Sequence, residues 1–116
     1  MGEMEKFKGC IVEESLIDNR VLNDIEITKL KIAKDERPSK RWHIYNVLLD
    51  EEKIKELQVY LKDKWYMHFW NDEILIVVFK NEKFVVEVNE KETWKPAIDY
   101  GISIGIPKEQ LDFVME

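Results

Sequence analysis

Cysteine, glycine, proline and histidine are all scarce in this sequence, and each shortage narrows the class of protein. The 116 residues include one Cys, four Gly, three Pro and two His. With so little Gly and Pro and no low-complexity segment, the chain is not of the disordered type. A single cysteine, Cys10, excludes a disulfide within the chain and favours a reducing compartment. Its apolar neighbours indicate a buried small residue rather than a nucleophile.

The two histidines, His43 and His68, are too few for an ordinary metal site. Zinc usually needs three or four converging ligands, and HxH, HxxxH and CxxC spacings are missing. There is also no GxSxG, GxGxxG or Walker-type loop. Helix capping accounts for the acidic residues Asp50 to Glu52, and a turn accounts for Asp72-Glu73, so neither group indicates acid–base catalysis. We therefore predict no metal, no cofactor and no catalytic residue.

Long apolar runs and blocks of basic residues are missing as well. The longest apolar run, Ile74–Phe79, is too short to span a bilayer, and the charged start of the chain, 1–8, has no signal-peptide pattern. We expect a cytoplasmic protein with no membrane partner. The net charge is −6, from 18 basic and 24 acidic residues. An acidic chain disfavours nucleic acid as a partner.

The stretch richest in apolar and aromatic residues is 65–88, WYMHFWNDEILIVVFKNEKFVVEV. Three apolar, β-branched runs are separated only by Asn71-Asp72 and Asn81-Glu82, which is typical of an antiparallel meander. Its strands are apolar on both faces, so both faces need a cover. One cover need not belong to this chain, which makes the meander a candidate docking surface.

The remaining pattern predicts three earlier strands and two helices. The strands are Phe7–Val12, Ile25–Ala33 with either a bulge or the true strand start near Thr28, and Trp42–Leu49. Between them lie two loops: 13–24, with apolar residues tucked onto the core, and the polar Lys34–Lys40. The fold class is α+β: a single domain, 1–116, with an antiparallel sheet of five to six strands and two main helices, in the order β-β-β-α-β-β-β-α.

The helix boundaries follow from caps and breakers. Asp50 is a suitable N-cap for a first helix that extends to Lys64, with apolar residues at helical spacing. Pro96 is tolerated only in a first turn, so the second helix should start near Thr93, and Gly105 is placed to end it. Pro107–Val114 is predicted as one helical turn and an extended tail. Gly9 in the first strand indicates a bulge or a close backbone approach.

Three segments resemble a known group of proteins. KFKGCIVEESL near the start, WYMHFWND in the middle and YGISIGIPKEQLDF near the end are together similar to a family of small prokaryotic domains of unassigned activity. The resemblance extends over nearly the whole chain. It implies no catalytic or binding residue.

The candidate site is aromatic. Alternation places Tyr66, His68 and Trp70 on one face of a strand, and Trp65, Met67 and Phe69 on the other. One set should belong to the core. The other set either belongs to the core beneath the second helix or lines a pocket or an interface. Trp and Tyr suit a pocket or an interface because they combine apolar area with a polar group. The ligand or interface candidates are Trp42, His43, Tyr45, Tyr66, His68 and Trp70.

Three functions remain open. The favoured one is a non-enzymatic interaction module, homodimeric through an apolar or aromatic sheet face. The second is a small-molecule-binding domain or enzyme, with a pocket near His43 and His68, between the sheet and the loop Lys34–Lys40. The third is a single-stranded nucleic-acid module that stacks bases on its aromatics. The support for this third function is a set of basic residues adjacent in sequence to the aromatic residues: Arg37, Lys40, Arg41 and Lys64.

Overall fold

A computed structural model describes residues 6–113 and 115 of the chain. Within them, six strands and two α-helices form a single α+β unit, as predicted. The strands are β1 Lys6–Val12, β2 Glu26–Ile32, β3 His43–Asp50, β4 Tyr66–Trp70, β5 Ile74–Phe79 and β6 Lys83–Glu87. The helices are α1 Glu51–Val59 and α2 Lys95–Ser103. In this described part, no helix is long and apolar enough to cross a membrane.

All six strands belong to one antiparallel sheet with the order β2-β3-β1-β4-β5-β6. The meander β4-β5-β6 forms one half, and β1 joins it to the N-terminal strands by pairing Cys10 with His68. The predicted bulge in β2 is confirmed, because the register against β3 shifts between Ile27 and Lys29. The shift lets Ile27 and Leu30 lie on the same face although they are three residues apart.

One face of the sheet packs against α1, and we call it the α1 face. Helix α1 begins where the side chain of Asp50 accepts a hydrogen bond from the Lys53 backbone N–H at 3.0 Å. It buries Ile54 and Leu57 against the sheet. The core on this face also contains Phe7, Ile11, Leu16, Leu22, Val47, Leu49, Leu61, Met67, Phe69, Ile76 and Val78.

Helix α1 is shorter than the sequence predicted, and the end at Lys64 is wrong. Its last residue is Val59. The following backbone pairs with the 13–24 segment instead: Ile17 N–H donates to Tyr60 O at 2.7 Å, and Lys62 N–H donates to Ser15 O at 2.8 Å. This tertiary pairing competes with further helical turns. The 13–24 segment itself contains two short 3-10 turns. It buries Leu16 and Leu22 as predicted, whereas Ile17 is exposed, contrary to the prediction.

The opposite face packs against α2 and the tail, and we call it the α2 face. Its core joins sheet residues Trp70, Leu75, Val77, Phe79 and Val86 to a cover formed by Trp94, Ala97, Ile106, Leu111 and Phe113. The meander is thus apolar on both faces, and residues of the chain itself cover most of both, with Val85 of β6 left exposed on the α1 face. The second face of the meander is therefore not available as the docking surface that the sequence suggested, because α2 and the tail already cover it.

The boundaries near the C-terminus differ slightly from prediction. A 3-10 turn, Lys91–Trp94, precedes α2, so the α-helix begins at Lys95 rather than Thr93, with Pro96 in its first turn. Gly105 follows the helix with φ +100°, the left-handed conformation that glycine adopts most readily. The predicted turn after Pro107 is present as a short 3-10 turn, and Val114 lies outside the described residues.

Candidate functional site

The α2 layer covers only part of its face, and the uncovered part is concave. A helix is about 10 Å across and therefore spans about two strand spacings, whereas this sheet has six strands. The core beneath the cover contains residues of β4, β5 and β6, and Cys10 of β1 packs against its edge. A cavity of about 300 Å³ lies at this step. Its floor comes from the α2-face positions of β1 and β3: Cys10, Val12, Ile44 and Asn46.

Strand β4 forms one wall of the cavity. Its alternation directs Tyr66, His68 and Trp70 to the α2 face. His68 and Trp70 stack with their ring centroids 5.2 Å apart and their planes 21° apart, and Tyr66 lies 6.0 Å from His68. Both His68 and Trp70 are buried. The wall is therefore a continuous row of aromatic rings with little freedom to move.

A tryptophan pair closes one end of the cavity. Trp42 lies directly before β3 and Trp65 directly before β4, and their rings meet edge to face with centroids 5.1 Å apart. The ammonium of Lys40 lies 5.8 Å from the centre of the Trp42 ring, within cation–π range. Both indoles line the cavity. The backbone of Trp42 is held as well, because its carbonyl accepts a hydrogen bond from the Ala33 N–H at 2.9 Å.

The C-terminal tail fixes the other rim. The hydroxyl of Tyr66 donates a hydrogen bond to the backbone carbonyl of Gln110. Phe113 meets the Tyr66 ring edge-on, with centroids 5.4 Å apart. Burial raises the pKa of Tyr66, and the negative charge of Asp112 raises it further. The phenol thus stays protonated near neutral pH and continues to hold the tail.

A second cavity of about 410 Å³ adjoins the first. It lies beneath the loop 34–40, and it shares Trp42 and Gln110 with the aromatic cavity. Its other lining residues are Ala33, Lys34, Asp35, Arg37 and Lys40. Asp35 holds Arg37 through hydrogen bonds to the guanidinium at 2.9 and 3.0 Å. We call the two spaces the aromatic cavity and the loop cavity.

His43 and Tyr45 lie on the α1 face, away from both cavities. His43 contacts Glu14 twice, through its backbone N–H at 2.9 Å and its ring Nδ1 at 2.7 Å. The hydroxyl of Tyr45 donates to Glu13 at 2.6 Å. The hydrogen bond to Glu14 raises the pKa of His43. These contacts fasten the first 3-10 turn to β3, which is a structural use of both side chains.

The structure therefore divides the six predicted site residues. Trp42, Tyr66, His68 and Trp70 line one cavity, and His43 and Tyr45 point to the other face. A pocket that uses both histidines is excluded, because the alternation of β3 and of β4 places the two rings on opposite sides of the sheet. Cys10 is also not fully buried as expected, but forms part of the cavity floor.

Several lining residues were missed by sequence reasoning. Trp65 packs against the α1-face core with Met67 and Phe69, as predicted, but it precedes β4 and its indole also lines the aromatic cavity. Lys64, with φ 65°, marks that turn, and a polar Lys-Asp-Lys run was the available signal. Gln110 and Asp112 come from a tail whose path depends on tertiary packing. No sequence pattern indicates where that tail lies.

Across the described residues, no three His, Cys, Asp or Glu side chains are grouped so that they could hold a metal ion.

No protein-family model, curated protein or solved structure matches the chain in comparison. The resemblance to small prokaryotic domains stays a prediction.

Proposed function

We propose that this protein binds a small planar organic molecule in the aromatic cavity. The observation that carries the proposal is the convergence of five aromatic rings on one concave space of about 300 Å³. Three come from consecutive α2-face positions of β4, and the Trp42–Trp65 pair closes the end. Ligand sites are typically concave, mostly apolar and equipped with a few polar groups.

The shape of the lining favours a flat ligand. Aromatic rings attract other π-systems by offset stacking and by edge-to-face contact, at about 0.5–1.5 kcal/mol per pair beyond area burial. The polar side chains at the floor and rim, Asn46 and Gln110, can orient such a ring without filling the space. Because Tyr66 is held by the tail and His68 by stacking, the wall is already ordered before a ligand arrives, which lowers the entropic cost of binding.

The test is a fluorescence titration with N-phenyl-1-naphthylamine, a neutral, flat probe whose emission rises in apolar sites. We expect saturable binding of one probe per chain, with quenching of tryptophan emission. Trp42→Ala removes one stacking partner from an incompletely buried position and should weaken binding about three- to tenfold. Its fold should be unchanged by circular dichroism.

A matched control separates the cavity from general surface hydrophobicity. Leu30→Ser removes an exposed apolar side chain from the α1 face, 51% accessible, and should leave probe affinity unchanged. Equal weakening by Leu30→Ser and Trp42→Ala would show that the probe adheres to apolar surface in general. Binding that ignores Trp42 altogether would also refute the proposed site.

A second candidate function is self-association through β2. All seven residues of this edge strand are exposed, and it pairs with β3 on one side only. Ile27, Leu30 and Ile32 form an apolar row on the α1 face, at 41%, 51% and 45% exposure. Lys29 and Lys31 lie on the other face, and like charges disfavour edge-to-edge pairing of two copies of β2. A second copy would therefore pack face to face against the row.

Light scattering coupled to size-exclusion chromatography tests this second candidate. We expect a dimer that dissociates on dilution, and a monomer at every concentration for Leu30→Asp, which places a charge in the row. The control Val85→Asp changes an equally exposed apolar residue on β6, far along the sheet, and should leave the dimer intact. A wild-type chain that stays monomeric at high concentration would remove this candidate.

A further inference from the structure

The two adjoining cavities are basic, although the chain as a whole is acidic. Five basic side chains and two acidic ones are among the described residues that line them: Lys31, Lys34, Arg37, Lys40 and Lys64 against Asp35 and Asp112. The whole chain carries a net charge of −6. The lining therefore carries more positive than negative charge, which attracts anions and repels cations.

The basic residues are divided between the two cavities, which together form one cleft. Lys31 and Lys64 belong to the aromatic cavity, while Lys34, Arg37 and Lys40 belong to the loop cavity. Trp42 belongs to both and has the Lys40 ammonium 5.8 Å from its ring centre. A molecule with its ring among the aromatics and a substituent past Trp42 would place that substituent among cations.

We propose that the ligand of this cleft is an aromatic anion, whose ring occupies the aromatic cavity and whose carboxylate, sulfonate or phosphate group lies in the loop cavity. This inference rests on the proposed function, since it assigns the charge of the same ligand. It adds an anion subsite formed by Lys34 and Lys40, with Arg37 held in place by Asp35. The subsite lies on a loop, so it can adjust to anions of different size.

Both acidic residues of the cleft are compatible with an anion. The carboxylate of Asp35 is neutralised by the Arg37 guanidinium, which holds the pKa of Asp35 at about 2. Asp112 lines the aromatic cavity on the tail side, away from the loop cavity. The net positive charge of the loop cavity thus comes from the ammonium groups of Lys34 and Lys40. Because both side chains are exposed, salt should weaken their attraction for an anion.

Two probes that differ in one group test the inference. N-Phenyl-1-naphthylamine is neutral, and 8-anilinonaphthalene-1-sulfonate has the same ring system with an added sulfonate. We expect the sulfonate to bind about three- to tenfold more tightly at low salt, as two or three exposed ion pairs would produce. This advantage should shrink towards zero in 1 M salt, where the screening length is about 3 Å.

The decisive variant is the double substitution Lys34→Gln with Lys40→Gln. It should remove most of the sulfonate's advantage and leave the affinity of the neutral probe within about twofold. The control Lys55→Gln with Lys83→Gln makes the same change in net charge on α1 and at the start of β6, and should change neither affinity. All four lysines are on the surface, so folding is not at stake.

The outcomes separate this inference from the proposed function. Equal affinity for both probes, each weakened by Trp42→Ala, would overturn the anion subsite and leave the planar-ligand site standing. Equal loss in the two double variants would show a general charge effect, and it would also overturn the subsite. Binding of neither probe, or binding indifferent to Trp42, would refute the proposed function and the anion subsite together.

Discussion

At the scale of single residues, the contact between Gly9 and Phe69 shows why one glycine lies within a strand. A Cβ added to Gly9 would lie 2.1 Å from Cδ1 and 2.6 Å from Cε1 of the Phe69 ring. That ring is fully buried in the α1-face core and cannot move aside without disturbing its neighbours. The close backbone approach predicted for Gly9 is thus confirmed, and the approaching group is a side chain.

We predict that Gly9→Ala lowers the free energy of unfolding by about 1–3 kcal/mol, the usual cost of overpacking a core. Urea denaturation followed by circular dichroism measures it. In Gly9→Ala with Phe69→Leu, the smaller side chain leaves room for the new methyl group, so the two losses should sum to more than the loss in the double variant. Strict additivity would show that the ring is not what excludes a side chain at Gly9.

His43 and Glu14 form the most clearly pH-dependent contact. The hydrogen bond to Glu14 raises the pKa of His43 above its ordinary value of 6.5. Burial pushes the pKa of Glu14 upwards, but the hydrogen bonds from the His43 ring and backbone outweigh it and leave that pKa below 4.5. Stabilisation from the histidine is complete below pH 6.5 and is lost as pH rises through its raised pKa. Stabilisation from the glutamate is present above pH 4.5 and is lost in stronger acid.

We therefore predict that the pair contributes most between about pH 4.5 and 6.5. An NMR titration of the His43 ring should give a pKa above 6.5, and Glu14→Gln should return it towards that value. Glu56→Gln, on α1, is the control and should leave the titration unchanged. A wild-type His43 that titrates at or below 6.5 would show that the contact with Glu14 is not formed in solution.

At the scale of elements, the tail after α2 completes the fold although it is almost devoid of regular structure. Its own residues Leu111 and Phe113 are buried, and the Phe113 ring contacts Tyr66, His68 and Trp94. The tail thus joins the α2 cover to the aromatic wall. The Tyr66 hydroxyl also donates a hydrogen bond to the Gln110 carbonyl of the tail.

We predict that Phe113→Ala lowers the free energy of unfolding by about 3–5 kcal/mol, as expected for a fully buried aromatic ring. Phe113→Leu keeps most of the apolar volume and should lose much less. Denaturant unfolding measures both, and Glu109→Ala, an exposed change in the same tail, serves as the control. A loss below 1 kcal/mol for Phe113→Ala would mean that the tail is not part of the core.

The elements that sequence reasoning found are those whose signals are local. The meander follows from three apolar runs and two turns, the start of α1 from the Asp50 cap, and the end of α2 from Gly105. The end of α1 was missed because backbone bonds between 60–62 and 15–17, distant in sequence, terminate it. No pattern within 50–64 contains that information.

At the scale of the whole molecule, the site results from a mismatch between a six-stranded sheet and a narrow cover. Alternation along β4 predicted which rings share a face, and it placed Tyr66, His68 and Trp70 correctly together. Where the cover stops could not be predicted, because it depends on how α2 and the tail pack across strands. Of the two alternatives for the second face of the meander, cover by the second helix is therefore the one observed, and the open part of the α2 face lies over β1 and β3.

The four tryptophans allow the most direct test of a planar-ligand site. Trp42, Trp65 and Trp70 line the aromatic cavity, whereas Trp94 is part of the cover, is absent from the cavity lining and donates its indole N–H to Glu87 O at 2.7 Å. Their four indole N–H signals can be followed by NMR as N-phenyl-1-naphthylamine is added. We expect saturable shifts of the signals of Trp42, Trp65 and Trp70, with Trp94 nearly unmoved. Shifts confined to Trp94, or no saturable shift of the other three, would contradict a ligand site between these rings.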